Sequence, residues 1–289
     1  MTGREDLTRP PFAIDASLGS LDVAAEIVTC FERLASRPAL LPCGHALAMR
    51  ALGLGPEDPL HRAGSAIAAD IDRGIGAGVP AGYHNPRHFL EVMLCALYLA
   101  RVAGLDRDRS ARVTTAALVH DFHHDGSRSS DSPFRLEALA ADKADDYARD
   151  AGVSLELREQ LRALVLATEP RTGVPFARAC LEHHVNGEPA PVFVEAPPSL
   201  ARLLVEPDLA LEAVLLAEAD VLPSIGLTIA HGLRAQDSLA DEWRMSLGAV
   251  DKLGFIDRIQ GKLVVASFFE PNVEALRQAC LQRLPSSRS

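Results

Sequence analysis

The residues with the clearest chemical potential are the adjacent pair His120-Asp121, which begins the segment HDFHHDG. Such a pair can give one metal a nitrogen ligand and can share its carboxylate between two metals. His88 lies upstream and Asp220 lies downstream, so two further ligands of suitable type are present. Imidazole with carboxylate suits zinc, iron, manganese or nickel, whereas carboxylate with waters suits magnesium or manganese. These residue types indicate a metal-dependent phosphohydrolase centre.

The pattern around the histidines predicts helices that present them to one cleft. Asn85 is a favoured N-cap and Pro86 fits the first helical position, so His88 should lie in the first turn of a helix that stops at Gly104. His120 and His124 are four residues apart and are predicted to share one face at the end of a helix over residues 110–122.

Asp220 is predicted to end an apolar helix over residues 207–222. Burying a carboxylate without a partner at the end of such a helix would cost several kcal/mol. A metal ion would supply that partner. The position of Asp220 therefore agrees with its chemistry as a candidate ligand.

Helical periodicity runs through nearly the whole chain and predicts an all-α fold. Low aromatic content, 5%, beside 48% hydrophobic residues also favours packed helices. We predict an N-terminal arm and helical subdomain over residues 1–75 and a catalytic domain over 76–289. Further helices are predicted from Ser132-Pro133 to about 152, from Ser154 to about 168, and over 207–222, 238–247, 249–267 and 272–284, with an ordered surface loop at 186–200.

The net charge of −10 argues against binding of a nucleic acid polymer, because phosphate backbones need a basic surface. It does not exclude a small phosphorylated substrate, because bound divalent metals can invert the local field. The polar N-terminus and the lack of a long apolar run predict a cytoplasmic protein with no membrane partner. Five scattered cysteines fit a reducing compartment. A homodimer is compatible with the sequence.

The motifs resemble those of the HD-domain phosphohydrolases, and more narrowly those of the class I cyclic nucleotide phosphodiesterases. The chain resembles five segments of that family, in the family's order. They are the YHNxxH motif, the HDxxHxG motif, the LATD motif, the segment that carries the last metal ligand, and the helix that lines the pocket for the base. The matching segments are Tyr83–His88, His120–Gly126, Val165–Glu169 (with Glu for Asp), Ala219–Asp220 and Gly254–Ile259.

The resemblance implies an HD-type helical bundle and a role for each matching residue. The first metal (zinc, iron or manganese) would be bound by His88, His120, Asp121 and Asp220. Asp121 would bridge to a second metal, magnesium or manganese, whose waters would be held by Glu137. His84 would be the general acid, and His124 would lie near a hydroxide that bridges the metals. Candidate substrate contacts are Tyr83, Lys252 and Phe255.

The implied activity is hydrolysis of a 3′,5′-cyclic nucleotide, cAMP or cGMP or both, to the 5′-monophosphate. Two departures bear on the substrate: Pro223 and Lys252 stand where the family places an Asn and a Gln that contact the purine. An HD phosphohydrolase acting on a nucleotide monoester or another signalling nucleotide is therefore the alternative hypothesis. A third hypothesis is an inactive nucleotide-binding regulator, which is disfavoured because no ligand position is missing.

The remaining candidates have simpler interpretations. His45, His61 and His231 fit structural or surface positions, and His183-His184 fits a surface or interface position beside the proline-rich loop. Lys252 fits a solvated helix lysine as well as it fits a substrate contact.

Overall fold

The structure is a computed structural model that describes residues 6–79, 82–127, 132–192 and 197–284. Within these ranges the chain forms α-helices and two short 3-10 helices and no strand, which confirms the predicted all-α fold. The 3-10 helices are Leu200–Leu204 and Val265–Phe269. The α-helices are α1 (Ser20–Ala35), α2 (Leu40–Ala51), α3 (Pro59–Asp72), α4 (Pro86–Val102), α5 (Arg107–Val119), α6 (Arg135–Asp150), α7 (Leu155–Leu166), α8 (Gly173–Asn186), α9 (Pro207–Ile225), α10 (Ile229–Trp243), α11 (Ala249–Ile259) and α12 (Glu270–Leu281).

Helix α4 lies at the centre of the bundle and packs on both α5 and α9. Every residue from His88 to Ala100 is buried, so α4 is enclosed on all faces and not only along one apolar stripe. Helix α9 is also buried along most of its length. A helix enclosed in this way has little freedom to move, because protein interiors are close-packed. The candidate ligands on α4 and α9 are therefore held on enclosed helices.

The predicted start of α4 is confirmed. The Asn85 side-chain oxygen accepts hydrogen bonds from the backbone N–H groups of Arg87 (2.8 Å) and His88 (3.3 Å), and Pro86 takes the first helical position. The chain leaves the helix at Gly104, whose φ of 67° is in the left-handed region that favours glycine. The Ser154 cap of α7 is confirmed in the same way, since its hydroxyl accepts from the Leu157 N–H.

Other predicted boundaries are wrong. Helix α5 begins at Arg107, because the Asp106 carboxylate caps it, and it ends at Val119. Helix α6 begins after Phe134, which adopts a left-handed conformation without a side-chain cap. Pro223 was expected to lie beyond the end of α9, yet the helix continues through it to Ile225. A proline so close to the C-terminus removes few helical hydrogen bonds, and the buried apolar residues around it favour the continued helix.

Two further segments differ from the predicted pattern. Helix α8 was not predicted, and α10 begins nine residues earlier than expected, at Ile229, where the Thr228 hydroxyl caps it. The helix predicted over 249–267 is interrupted after Ile259, because Gly261 has a φ of 73° and turns the chain.

Helices α1–α3 share one hydrophobic core with the rest of the bundle. Helix α2 packs on α4, and α3 packs on α5 and α6. The Arg87 guanidinium at the start of α4 pairs with Glu32 of α1 at 2.7 Å, and Arg234 of α10 pairs with the same carboxylate at 3.1 Å. The division of the chain at residue 75 stays a prediction.

Among the described residues, no single helix is long and apolar enough to cross a membrane. Two successive helices, Pro207–Ile225 and Ile229–Trp243, are together long and apolar enough to do so, but the chain bends by 96° between them.

His183 and His184 have structural partners. The Nδ1 atom of His183 lies 2.6 Å from the Glu188 carbonyl, and the Nε2 atom of His184 lies 2.8 Å from the Leu203 carbonyl. Because carbonyl oxygens only accept, both rings donate, and both fix the chain at the end of α8.

The burial of His45 should make the free energy of unfolding depend on pH. It is fully buried in α2 against Gly64, its Nε2 has no hydrogen-bond partner among the residues that the structure describes, and burial lowers its pKa to about 3. The unfolded chain would bind a proton here below about pH 6.5, whereas the folded chain would not, so stability falls as the pH decreases. Between about pH 6.5 and 4.5 the wild type should lose about 2–3 kcal/mol more than His45→Gln. Urea unfolding across this range measures the difference, and parallel pH curves for the two proteins would contradict it.

Candidate metal centre

Four side chains from three separate parts of the chain meet at the centre of the bundle. His88 comes from the first turn of α4, His120 and Asp121 follow the end of α5, and Asp220 comes from α9. One ligand atom from each lies within 4.8 Å of the other three. The Nε2 atoms of His88 and His120 lie 3.3 and 3.0 Å from Asp121 Oδ2, and 3.3 and 3.4 Å from Asp220 Oδ1. The structure therefore brings together all four residues predicted as ligands of the first metal.

The spacing of these atoms fits a metal ion. Metal–ligand bonds of about 2.0–2.2 Å place neighbouring ligand atoms about 3.0–3.5 Å apart around one ion. The two Nε2 atoms are buried and make no hydrogen bond within the described part of the chain, in spite of their short distances to the carboxylates. Buried nitrogens without hydrogen-bond partners are rare unless an ion satisfies them. The donor set of two imidazoles and two carboxylates suits zinc, iron or manganese.

The tautomer of His120 also favours metal binding. Its Nδ1 atom lies 2.8 Å from the Ala117 carbonyl oxygen, which can only accept a hydrogen bond. Nδ1 must therefore carry the proton, and Nε2 of the neutral ring has a free lone pair that faces the carboxylates. Metal-binding histidines are commonly oriented in this way by a second hydrogen bond.

The charges of the four side chains show that the site accommodates positive charge. Burial alone would lower the pKa of His88, but Asp121 and Asp220 outweigh it and raise this pKa to about 9. The pKa of His120 is raised for the same reason. Burial would raise the pKa values of the two carboxyl groups, but the facing histidines hold both below their usual range. The two carboxylates thus stabilise cations at the position where a metal would be bound.

The predicted relation between His120 and His124 is wrong. The two were expected on one helical face, but α5 ends before them and His123 turns the chain with a φ of 66°. The turn instead stacks the His124 ring on the His84 ring, with centroids 3.8 Å apart. His124 still reaches the cleft, but from a tight turn and not from a helix.

His84, His124 and Asp121 also have ligand atoms within 4.8 Å of one another. The Nδ1 atom of His124 accepts a hydrogen bond from the Gly126 N–H at 3.0 Å, so Nε2 carries the proton of the neutral ring. Burial is the main cause that lowers the pKa of His124 and so favours this neutral form. A protonated Nε2 cannot bind a metal, so His124 faces the cleft as a hydrogen-bond donor.

Sequence reasoning missed Glu242, which orients His84. The Nδ1 atom of His84 lies 2.6 Å from Glu242 Oε1, and the backbone N–H of His84 donates to Oε2 at 2.9 Å. The side chain of Glu242 is fully buried. Burial would raise its pKa, but the contacts with His84 outweigh this and lower it, so the carboxylate is charged. The second nitrogen of His84, Nε2, lies 3.7 Å from Asp121 Oδ2 and faces the cleft.

Two glycines make room for this contact. A side chain at Gly82 would overlap the Glu242 carboxylate, and one at Gly78 would overlap the backbone carbonyl of His84. Gly78 also has a φ of 70°, which other residues rarely adopt. The loop before α4 therefore fits closely over Glu242 because it lacks side chains at these points.

Glu137 lies in the first turn of α6 and is buried, and its Oε2 has no hydrogen-bond partner among the described residues. Burial, with Asp121 and Glu169 nearby, raises its pKa to about 7. Glu169 itself accepts hydrogen bonds from the N–H groups of Thr172 (2.6 Å) and Gly173 (3.1 Å) and so orders the start of α8. Glu137, which lies near Asp121, thus keeps one carboxyl oxygen without a partner among these residues. A residue that holds metal-bound waters would need such an oxygen.

A comparison with models of protein families identifies a domain within the chain. Residues 87–224 match the model of the HD domain, and this range contains His88, His120, Asp121 and Asp220. This part of the chain is therefore an HD domain, a domain of metal-dependent phosphohydrolases. His84 and Glu242 lie outside the matched part of the HD domain. No curated protein matches the chain by sequence.

Solved structures with the same fold include two phosphodiesterases. The phosphodiesterase domain of a RhoPDE fusion protein from the choanoflagellate Salpingoeca rosetta is 16% identical with a TM-score of 0.58, and the match covers 96% of each chain. LmjPDEB1 in complex with IBMX is 15% identical with a TM-score of 0.60, over 95% of this chain and 96% of that one. At this identity the likeness establishes the fold, and it extends beyond the HD domain to nearly the whole chain.

The predicted substrate contacts have partners within the protein. The Tyr83 hydroxyl lies 3.1 Å from the Ser224 hydroxyl, and its ring packs 4.4 Å from the His88 ring. Lys252 is 5% exposed, so it is not a solvated helix lysine. Its ammonium lies 5.8 Å from the Phe255 ring centroid, and burial lowers its pKa to about 8. Roles in substrate binding stay predictions for all three residues.

Proposed function

We propose that this HD-domain protein is a dinuclear metal-dependent phosphodiesterase that hydrolyses a 3′,5′-cyclic nucleotide, cAMP or cGMP or both, to its 5′-monophosphate. The observation that carries the proposal is the arrangement of His84. One of its nitrogens is fixed by Glu242, and the other faces the cleft beside Asp121. A proton donor placed beside a metal centre serves a reaction whose leaving group needs a proton.

In this proposal the first metal is held by His88, His120, Asp121 and Asp220. The buried histidines form the floor of the site, while the carboxylates of Asp121 and Asp220 are 18% and 30% exposed toward its mouth. Asp121 would also contribute to holding a second ion, and Glu137 would hold the waters of that ion. Bound divalent ions would polarise the phosphoryl oxygens and make hydroxide from water near neutral pH.

His84 acts as the general acid. Cleavage of the bond between phosphorus and O3′ leaves an alkoxide, which is a poor leaving group unless it is protonated. The Glu242 carboxylate accepts from Nδ1 and offers a negative charge to the protonated ring, so Nε2 can donate its proton to O3′. His124, with a protonated Nε2 in its neutral form, can donate a hydrogen bond to an oxygen at the reacting phosphate.

The choice of a phosphodiester is supported by the structural neighbours, which include phosphodiesterase domains of Salpingoeca rosetta that match this chain over nearly its full length. Pro223 lies inside α9 and offers no side-chain hydrogen bond. The groups whose charges act on the pKa of Lys252 are Cys280 and Asp237, and neither belongs to the metal centre. We therefore propose that the site selects its substrate chiefly through the cyclic phosphate.

The experiment that tests the function is removal and return of the metal. Protein treated with a chelator should not hydrolyse cAMP or cGMP, and added Mn²⁺ should restore formation of the 5′-monophosphate. Turnover that survives complete removal of metal would contradict the proposal.

Glu242→Gln predicts a loss of activity that depends on the leaving group. The amide cannot supply the negative charge that accompanies a protonated His84, so kcat on a cyclic nucleotide should fall about 10–100-fold, which is a part of the roughly 10²–10⁴-fold contribution of a general acid. The loss should be much smaller on bis(p-nitrophenyl) phosphate, whose leaving group needs no proton. Asp241→Asn, at the exposed neighbouring position on α10, is the matched control. An equal loss on both substrates would show that Glu242 is only structural.

A further inference from the structure

A buried polar contact joins the N-terminal part of α4 to the first turn of α10. The Nε2 atom of His231 lies 3.3 Å from Glu91 Oε2, and Arg87 Nε donates a hydrogen bond to Glu91 Oε1 at 2.7 Å. His231 is 3% exposed and Glu91 is 6% exposed. Neither side chain has a part in the proposed reaction, so the burial of an imidazole and a carboxylate here needs its own explanation.

The neighbours of the two side chains determine their protonation. Arg234 can only donate, so the Nδ1 atom of His231 accepts its N–H at 3.2 Å and Nε2 carries the ring proton toward Glu91. Burial would raise the pKa of Glu91, but His231 and Arg87 outweigh it and lower this pKa, so the carboxylate is charged. Removing one partner of a buried charge is strongly unfavourable. The contact between Glu91 and His231 therefore fixes the separation of α4 and α10.

Helix α1 covers this contact. The ring of Phe31, which is fully buried, lies 5.9 Å from the ring of His231 between centroids. The next residue, Glu32, pairs with Arg87 at 2.7 Å and with Arg234 at 3.1 Å. Helix α1 thus contributes two side chains to the connection between α4 and α10.

Helix α10 carries this contact at one end and Glu242 at the other. His231 and Gly232 are its buried residues, and the Glu242 side chain is enclosed against His84 near the last turn. A Cβ atom at Gly232 would overlap the backbone carbonyl of Ser224, so the first turn also lies tightly against the end of α9. The other residues of α10 are partly or fully exposed. The helix is therefore held mainly at its two ends.

The length of α10 makes Glu242 sensitive to the position of the first turn. Glu242 lies 11 positions after His231, which corresponds to about 16 Å along the helix axis. Rotation of the helix by about 4° about its first turn would move Glu242 by about 1 Å. The contact between Glu242 and His84 is 2.6 Å long, so a shift of this size would weaken it strongly.

We propose that Glu91 and His231 are positioning residues for the general acid, because their contact holds α10 against α4 and so keeps Glu242 on His84. This role rests on the proposed function, in which His84 gives a proton to the leaving group. The two residues touch neither the substrate nor the metals. Loss of their contact should slow the step that needs a proton and leave the bound metal in place.

The first test is His231→Leu in the full chain, which removes the Nε2 donor but keeps an apolar side chain at the buried position. Its kcat on a cyclic nucleotide should fall about 10-fold, because misplacement by about 1 Å can cost up to about 100-fold. The KM and the metal content should stay as in the wild type, and kcat on bis(p-nitrophenyl) phosphate should change less than about twofold. His231→Gln, whose amide N–H can reach Glu91, should recover most of the activity.

The second test asks whether the effect passes through Glu242. Glu242→Gln already removes the carboxylate that His231 is proposed to position, so the losses should not add. His231→Leu should lower kcat of the Glu242→Gln variant by less than about twofold. His61→Leu is the matched control, since the ring of His61 contacts the Leu54 carbonyl at 3.3 Å, away from α4 and α10. It should leave kcat unchanged.

Additive losses, or equal losses on both substrates in a folded His231→Leu, would show that the contact is only structural and would overturn the inference. Should His231→Leu fail to fold, Glu91→Gln takes its place in the same cycle, and an additive loss there overturns the inference. A wild-type protein that hydrolyses no cyclic nucleotide would overturn the proposed function and this inference together. Turnover by the wild type with additive losses would overturn this inference alone.

Discussion

Asp121→Asn is expected to lower kcat/KM for a cyclic nucleotide by about 10³-fold or more, because it removes the carboxylate proposed to be shared by both metals. Asp121 Oδ2 lies 3.0–3.3 Å from the Nε2 atoms of His120 and His88 and 3.7 Å from that of His84. An amide of the same size keeps the shape of the site but loses the charge. Metal content, measured by elemental analysis alongside the rates, should fall in parallel with activity.

Asp125→Asn is the matched control for this variant, since it makes the same change four residues further along the chain. Asp125 is half-exposed and pairs with Arg135 at 2.9 Å at the edge of the site. It should keep its metal and most of its activity. Equal metal content and activity in Asp121→Asn and Asp125→Asn would refute the assignment of Asp121 as a bridging ligand.

His84→Asn is expected to lower kcat on a cyclic nucleotide by about 10²–10⁴-fold, the range for loss of a general acid. Bound metal should be unchanged, because His84 is proposed to donate a proton and not to bind metal. On bis(p-nitrophenyl) phosphate the variant should be nearly as active as the wild type, because p-nitrophenolate leaves without a proton. Steady-state kinetics on the two substrates, with metal content measured on the same samples, tests both parts.

His183→Gln is the control for a histidine outside the site, since His183 contacts the end of α8 and the chain that follows it. It should behave as the wild type on both substrates. Loss of a metal ion from His84→Asn would instead indicate that His84 is a ligand, and the pair of His84 and Asp121 would then belong to the second metal.

The features that the sequence predicted well depend on local chemistry. Asn85 and Pro86 mark the start of α4 because capping involves only adjacent residues, and that start also fixes His88. The identities of His120, Asp121 and Asp220 as candidate ligands follow from side-chain chemistry and from their order in a known family. The structure then brings these residues together in space.

The features that the sequence did not predict depend on distant contacts or on backbone geometry. Glu242 meets His84 across 158 residues, and no local pattern around Glu242 distinguishes it from other surface-type glutamates on a helix. The left-handed conformation of His123 ends the helical register that was assumed for His124, and the His123 N–H donates instead to the distant Gly76 carbonyl at 3.0 Å. Lys252 has an ordinary helical setting in sequence, yet tertiary packing buries it.

Hydrolysis of 3′,5′-cyclic nucleotides by the metal-loaded protein decides the proposed function. The measurement is a panel of cAMP, cGMP, 2′,3′-cyclic nucleotides and nucleoside monophosphates with Mn²⁺, Mg²⁺ and Zn²⁺, with products separated by chromatography. The structure predicts turnover of cAMP or cGMP or both to the 5′-monophosphate, which accumulates without release of inorganic phosphate. Release of phosphate from a nucleoside monophosphate, with no turnover of either 3′,5′-cyclic nucleotide, would contradict it.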